Sequence, residues 1–161
     1  MDFPPGYQLA MTDEEIKSYW PNLSKEHFEF TSLKTISYNC LAWATGNNRN
    51  WMDMYVFQAR YDLDMDTLDH SAEGYASFLQ QHFGFERCDN GDFEKGMEKI
   101  ALFEDNNKEW SHASRLLENG KWTSKMGRWE DIEHASLEVL QGKFYGQLKI
   151  FMKRNKPDEQ Q

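Results

Sequence analysis

The sequence predicts an α+β fold in which helices come first and an antiparallel sheet follows. Apolar residues recur at three- and four-residue steps from Thr67 to Phe83, and Gly84 comes next, which predicts a helix that ends there. The second half contains an Asn119-Gly120 pair between two strand-like runs, and residues 145–153 alternate between apolar and polar side chains. These two patterns predict a hairpin and a half-buried last strand.

The 161 residues have the length of one domain with a sizeable core. We expect this domain over residues 1–153 and a disordered tail over 154–161, because the tail is charged and contains a proline. Residues 1–11 are expected to form an irregular arm. Thr12 and Glu15 then match a capping box, which predicts a short helix that ends before Pro21.

A cysteine stands at the start of the apolar segment of residues 37–46. Asn39 precedes Cys40 and is a good helix cap, and Gly46 is suited to the residue after a last turn. At a helix start, the dipole and the unpaired amides lower the pKa of a thiol, and the amides can hold an oxyanion. Cys40 is therefore a candidate nucleophile, with its own N–H and the Asn39 side chain as oxyanion donors. The alternative is a buried structural cysteine.

Composition limits the classes of partner. The net charge of −9 and a pI near 5.0 disfavour nucleic acids and anionic membranes, since both are polyanions. Cys40 and Cys88 are too few for a disulfide framework and lack metal-ligand spacing, so neither metal nor cofactor is expected. Without a signal peptide or a long apolar run, a cytoplasmic location is expected, with leaderless export left open. The sequence does not predict an oligomeric state.

The hairpin that follows His112 has two possible registers. With a two-residue loop, Arg115 pairs with Ser124, and Ser124 then faces away from His112. With a three-residue loop over residues 118–120, Ser114 pairs with Ser124, and both share the face of His112. The sequence leaves this choice open.

Asp131 and His134 follow the hairpin and have two interpretations each. They could fold back toward His112. Alternatively, Asp131 caps a short helix that holds Ile132 and Leu137, and His134 packs at the edge of that helix. Lys125 and Trp43 are candidate substrate-binding residues, as is His134, although a solvated strand face for Lys125 and a core position for Trp43 are the alternatives.

The chain thus contains the parts of a cysteine hydrolase in order. A thiol attacks a carbonyl, an imidazole takes up and later returns the proton, and a third polar group fixes the ring. Cys40, His112 and either Ser124 or Asp131 are the candidates for these roles.

This order resembles the papain-like fold, and more closely its NlpC/P60 branch of peptidases and amidases. In that branch the histidine opens a strand, a Gly/Asn-rich hairpin follows, and the return strand carries a third polar residue. His112, residues 118–122 and Ser124 match these positions, although Ser124 departs from the His, Asn, Gln or acid that the branch places there. Asn39 matches the residue before its cysteine.

The chain is also similar, over residues 36 to 152, to an uncharacterised bacterial domain family. The shared segments are Tyr-Asn-Cys-Leu-Ala-Trp-Ala, Glu-Lys-Ile-Ala-Leu, His-Ala-Ser-Arg, Gly-Lys-Trp-Thr-Ser-Lys-Met-Gly and Asp-Ile-Glu-His. Taken together, the resemblances imply a papain-like domain that hydrolyses an amide bond in a peptide, an isopeptide or a cell-wall cross-link. An inactive interaction domain and an acyltransferase with the same Cys-His chemistry are the alternatives.

Overall fold

A seven-stranded antiparallel sheet forms the centre of the molecule in the computed structural model, which describes residues 1–157. The order of the strands across the sheet is β1-β6-β5-β4-β3-β7-β2. The strands, in chain order, are β1 (Phe28–Phe30), β2 (Glu86–Cys88), β3 (Met97–Glu104), β4 (Trp110–Leu116), β5 (Trp122–Lys125), β6 (Asp131–His134) and β7 (Gln147–Asn155). The α+β class is therefore confirmed, and the sheet is larger than the small one expected.

Four α-helices precede most of these strands, each capped by a polar side chain that accepts a first-turn amide. The helices are α1 (Asp13–Tyr19), α2 (Cys40–Ala44), α3 (Met54–Tyr61) and α4 (Ala72–Phe83), and their caps are Thr12, Asn39, Asp53 and Ser71. The last helix starts later than the predicted Thr67, because Ser71 caps it and residues 65–67 form a separate 3-10 turn. It ends at Gly84 in the left-handed conformation, as predicted.

Each face of the sheet carries its own core. On the helix face, α2, α3 and α4 cover the side chains of Ile100, Leu102, Ala113, Ile150 and Met152. On the opposite face, α1 and the segments around it cover Ala101, Phe103, Trp122, Met126 and Ile132. Because neighbouring residues of a strand point to opposite faces, one strand supplies side chains to both cores.

A region considered for a short helix is a strand. Residues 131–134 form β6 instead of the start of a helix, and residues 28–30 form β1 beside it. β6 lies between β5 and β1 and hydrogen-bonds to both. Pairing on both sides satisfies its backbone groups, which outweighs the capping tendency of Asp131. A 3-10 turn, Glu138–Leu140, follows β6 where the helix was considered.

The last strand runs past residue 153, where the tail was expected to begin. Arg154 lies in β7, pairs with Glu98 at 2.6 Å, and donates to the carbonyls of Phe83 and Thr45. The Lys156 N–H donates to the carbonyl of Gly96. The expected tail is therefore wrong for residues 154–155, and residues 158–161 lie outside the described part. Among residues 1–157, no helix combines the length and the apolar character needed to cross a bilayer.

Candidate functional site

Cys40 is the first residue of α2, as the sequence predicted. The side-chain oxygen of Asn39 accepts from the Ala42 N–H at 3.2 Å and from the Met52 N–H at 3.0 Å. Its amide nitrogen donates to the Met52 carbonyl at 2.8 Å. The Asn39 side chain thus caps α2 and fixes the next loop, and one of its two amide N–H groups is used for this.

The thiol of Cys40 is less acidic than expected. Burial raises its pKa to about 11, and this outweighs the lowering by the backbone amides of Ala113, Leu41 and Cys40 itself and by the Lys125 charge. The expected reduction of the pKa is therefore wrong, because α2 is only five residues long and its first side chain is almost fully buried. At neutral pH the sulfur carries its proton.

The hairpin adopts the three-residue loop, which settles the register that the sequence left open. Arg115 pairs with Thr123, and the Leu117 N–H donates to the Lys121 carbonyl, so Ser114 stands opposite Ser124. The Nε2 of His112 lies 3.0 Å from the Ser124 Oγ, which lies 2.7 Å from the Ser114 Oγ. Ser124 therefore contacts the imidazole and shares its face of the sheet.

The positions of the protons in this hydrogen-bonded group of serines and histidines follow from His134, its last member. The Nδ1 of His134 lies 2.8 Å from the Ser136 carbonyl, which accepts only, so Nδ1 carries a proton. Burial lowers the pKa of His134 to about 4, and its ring is neutral at pH 7, which leaves Nε2 as an acceptor. The Ser124 hydroxyl donates to this Nε2 at 2.7 Å. Ser124 then accepts from the Nε2–H of His112, and this assignment rests on the hydrogen-bond network.

His112 is consequently a neutral imidazole with a bare nitrogen. Burial lowers its pKa well below the usual value, and so does the repulsion that would arise if His134 were protonated at the same time. Its Nδ1 is buried and has no hydrogen-bond partner among residues 1–157. The ring stacks on Tyr145, with centroids 4.1 Å apart and planes within 12°. The arrangement gives a fixed, unprotonated base.

A cleft of about 230 Å³ opens over Cys40. Nine residues line it: Asn39, Cys40, Trp51, Asp53, Trp110, Ser111, Gly127, Phe144 and Tyr145. Tyr145, which the sequence did not single out, both lines this cleft and stacks on His112. Burial and the Cys40 charge raise its pKa well above the usual value, and its hydroxyl makes no hydrogen bond within residues 1–157. No local pattern marks Tyr145, because only the fold brings it to His112.

No hydrogen bond joins the thiol of Cys40 to the imidazole of His112 within the described chain. Helix α2 packs on β4, and the thiol lies against the amide of Ala113, the residue after His112. Phe103 stands opposite His112 and Glu104 opposite Trp110, so Ser111 is an extra, bulged residue just before the histidine. Bulges bend a strand and redirect side chains, and they are frequent beside active sites.

Asp131 does not orient His112. Asp131 pairs with Lys125 across β5 and β6, so it lies on the helix face, whereas His112 and Ser124 lie on the other. Its Oδ2 accepts from the Tyr38 hydroxyl at 2.7 Å, while its Oδ1 is buried without a partner among residues 1–157. Burial raises the pKa of this carboxyl.

The three expected substrate-binding residues do not line the cleft. Lys125 is fully buried, and its Nζ donates to the carbonyls of Gly127, at 2.8 Å, and Trp129. Burial lowers the pKa of Lys125 to about 8. The Trp43 indole donates to the Thr123 hydroxyl at 3.0 Å, and His134 belongs to the serine–imidazole group described above. The alternative considered for Lys125, a position on a solvent-exposed strand face, is therefore also wrong.

Within the described part of the chain, no group of three or more His, Cys, Asp and Glu side chains could hold a metal ion. Both cysteines are free thiols, and His27 is exposed.

The comparison with protein families gives one match. A family model described as a domain of unknown function, DUF7689, matches residues 29–153. No curated protein and no solved structure matches the chain. The matched segment begins in β1, ends in β7 and contains both Cys40 and His112. The chain therefore belongs to the DUF7689 family.

Proposed function

We propose that this protein is a cysteine hydrolase that cleaves an amide bond, in a peptide, an isopeptide or a cell-wall cross-link. Cys40 is the nucleophile and His112 the base, and Ser124 orients the imidazole. The observation that carries the proposal is the bare Nδ1 of His112, buried on the strand against which the cysteine helix packs. An unpartnered buried nitrogen costs free energy, and a catalytic role is one of the reasons for which such a group is kept.

The fold supports the same proposal. The order of a cysteine helix, a histidine strand and a return strand with a polar residue fits the papain-like NlpC/P60 arrangement, and we propose that relationship for the fold. Ser124 stands at the third position, and His134 behind it fixes the direction of its hydroxyl. The serine therefore acts through a relay that ends on the Ser136 carbonyl.

The pKa values determine how the reaction begins. The Cys40 pKa of about 11 and the low pKa of His112 mean that the resting pair is a thiol and a neutral imidazole. The sulfur attacks the carbonyl carbon as its proton passes to Nδ1 of His112, which requires the thiol to turn toward the ring. The imidazolium then protonates the leaving amine as the C–N bond breaks, and water hydrolyses the thioester.

The test uses an activated amide, acetyl p-nitroanilide, with release of p-nitroaniline as the readout and mass spectrometry to detect an acetyl group on Cys40. We expect Cys40→Ala to abolish release and His112→Asn to reduce it by about 10²–10⁴. Cys88→Ser is the matched control, because Cys88 also has a raised pKa but lies away from the cleft. Release that persists in Cys40→Ala would overturn the proposal.

A non-catalytic interaction domain is the second candidate function. The buried thiol with its high pKa, and the missing thiol–imidazole hydrogen bond within residues 1–157, favour it. This candidate predicts no acetyl adduct and a rate of iodoacetamide alkylation that His112→Asn leaves unchanged. If an adduct forms and an added amine captures the acetyl group faster than water does, the protein is an acyltransferase.

A further inference from the structure

The cleft over Cys40 has aromatic walls and one ionised side chain. Of the nine described residues that line it, four are aromatic, and Asp53 is the one charged at neutral pH, since the Cys40 thiol is protonated. Trp51 and Phe144 are 41% and 39% exposed, so these two rings form the open rim. An aromatic surface open to water beside a carboxylate suits a ligand that is both apolar and positively charged.

The carboxylate and the two aromatic rings of the rim are held in place by contacts with the rest of the chain. Asp53 caps α3, and its Oδ1 accepts from the Val56 N–H at 2.8 Å, while its Oδ2 has no hydrogen bond within residues 1–157. The Trp51 indole donates to the Ile36 carbonyl. Phe144 stacks on Tyr145 with centroids 5.2 Å apart and planes within 17°. The site is thus formed before a ligand arrives.

The size of the cleft limits what enters it. Pockets that hold whole drug-sized ligands measure about 300–1,000 Å³, and this cleft measures about 230 Å³. It therefore accommodates one group of side-chain size, next to the sulfur of Cys40.

The carboxylate of Asp53 decides whether the cleft binds a cationic, a neutral or an anionic group. Aromatic faces attract organic cations through the negative potential of the rings. A neutral apolar group would remove water from Asp53 without compensation, and an anion would be repelled by it. Lys125, the buried cation whose charge acts on the Cys40 thiol, donates from its Nζ to the carbonyls of Gly127 and Trp129.

We propose that this cleft binds an organic ammonium group, so that the substrate is an amide with a positively charged amine about one side-chain length from the scissile bond. The choice of amide rests on the proposed function, whereas the binding of the ammonium group does not. The recognition is made by Trp51, Phe144 and Tyr145 together with the Asp53 carboxylate.

A pair of isosteric probes tests the binding. Choline and its neutral carbon analogue, 3,3-dimethylbutan-1-ol, are titrated into the full-length protein by isothermal calorimetry. We expect choline to bind about fivefold more tightly or better. Asp53→Asn keeps the helix cap and removes the charge, so it should abolish this preference. Asp64→Asn is the matched control, since Asp64 also caps a turn but does not line the cleft.

Equal binding of the two probes, no binding of either, or an equal loss in Asp64→Asn would overturn the inference. The hydrolysis of 6-aminohexanoyl p-nitroanilide and of its isostere heptanoyl p-nitroanilide separates the two proposals. We expect a lower KM for the amino compound. Cleavage of both with the same KM overturns the ammonium site alone. Choline binding that Asp53→Asn abolishes, without cleavage of either amide, supports the site and overturns the hydrolase.

Discussion

The two faces of β4, β5 and β6 bury polar side chains in opposite ways. On the helix face, the charged cluster of Tyr38, Lys125 and Asp131 contains two charged side chains, those of Lys125 and Asp131, taken out of water. On the opposite face, the neutral cluster of His112, Ser114, Ser124 and His134 contains no charge, because burial keeps both rings unprotonated.

This difference fits the separate roles that we propose for the two clusters. In the charged cluster, the Lys125 ammonium is held by backbone carbonyls and the Asp131 carboxylate by Tyr38, so both charges serve to hold loops and strands together. In the neutral cluster, each proton position is fixed, and the chain of hydrogen bonds ends at one bare nitrogen of His112. A neutral relay can take up a proton without first breaking an ion pair, which suits a base.

The largest effect is expected for the charged cluster. Asp131→Ala removes the acceptor of the Tyr38 hydroxyl and the negative charge near Lys125, so we expect the free energy of unfolding to fall by about 3–5 kcal/mol. Asp131→Asn keeps an acceptor and should cost about 1–2 kcal/mol. Urea denaturation at pH 7.5 measures both. A loss under about 1 kcal/mol in Asp131→Ala would show that the cluster does not support the fold.

A smaller effect is expected for Ser124→Ala in the neutral cluster. The change leaves the Nε2–H of His112 and the Nε2 of His134 without partners, which should cost about 2–4 kcal/mol. Ser114→Ala, on the same face and one strand away, removes a single hydrogen bond and should cost about 1 kcal/mol. If the two variants unfold at the same urea concentration, the central place of Ser124 in the relay is refuted.

The neutral cluster should also make stability depend on pH. Burial lowers the pKa of His134 to about 4 from an ordinary value of 6.5, so between these values the unfolded chain binds the extra proton. Stability from this group is therefore complete above pH 6.5 and is lost as the pH falls toward 4.

The raised pKa of Asp131 makes stability change with pH in the opposite direction. The contribution of His134 is therefore measured by comparing the native chain with a His134 variant. We expect the loss of unfolding free energy between pH 7 and pH 5 to be about 1–2 kcal/mol smaller in His134→Asn than in the native chain. Parallel pH profiles for the two proteins would mean that His134 takes up its proton over the same pH range in the folded and the unfolded chain.

The smallest effect on stability is expected for Tyr145→Phe. The phenylalanine ring keeps the stacking on His112, and the hydroxyl that is lost makes no hydrogen bond within residues 1–157, so the change should stay within about 0.5 kcal/mol. Tyr145→Leu, which removes the stacking partner, is the contrast and should cost about 1–3 kcal/mol, measured by thermal and urea unfolding. A large loss in Tyr145→Phe would reveal a role for the hydroxyl in folding.

Local patterns in the sequence predicted the elements that depend on local interactions. Asn39 caps α2 and Gly84 ends α4, because capping and chirality act within a few residues. The strand β6 was missed, since its stability comes from β1 and β5 on either side, and β1 lies about a hundred residues earlier in the chain.

The sequence alone determined the chemical inventory: one thiol at a helix start, one histidine ahead of a hairpin, and serines on both of its strands. The tertiary structure alone decided which of these groups meet. A register difference of one residue puts Ser124 with His112 and sends Asp131 to the other face, because side chains alternate along a strand. It also decided the state of the thiol, since the depth of burial at Cys40, and not its place at a helix start, sets its pKa.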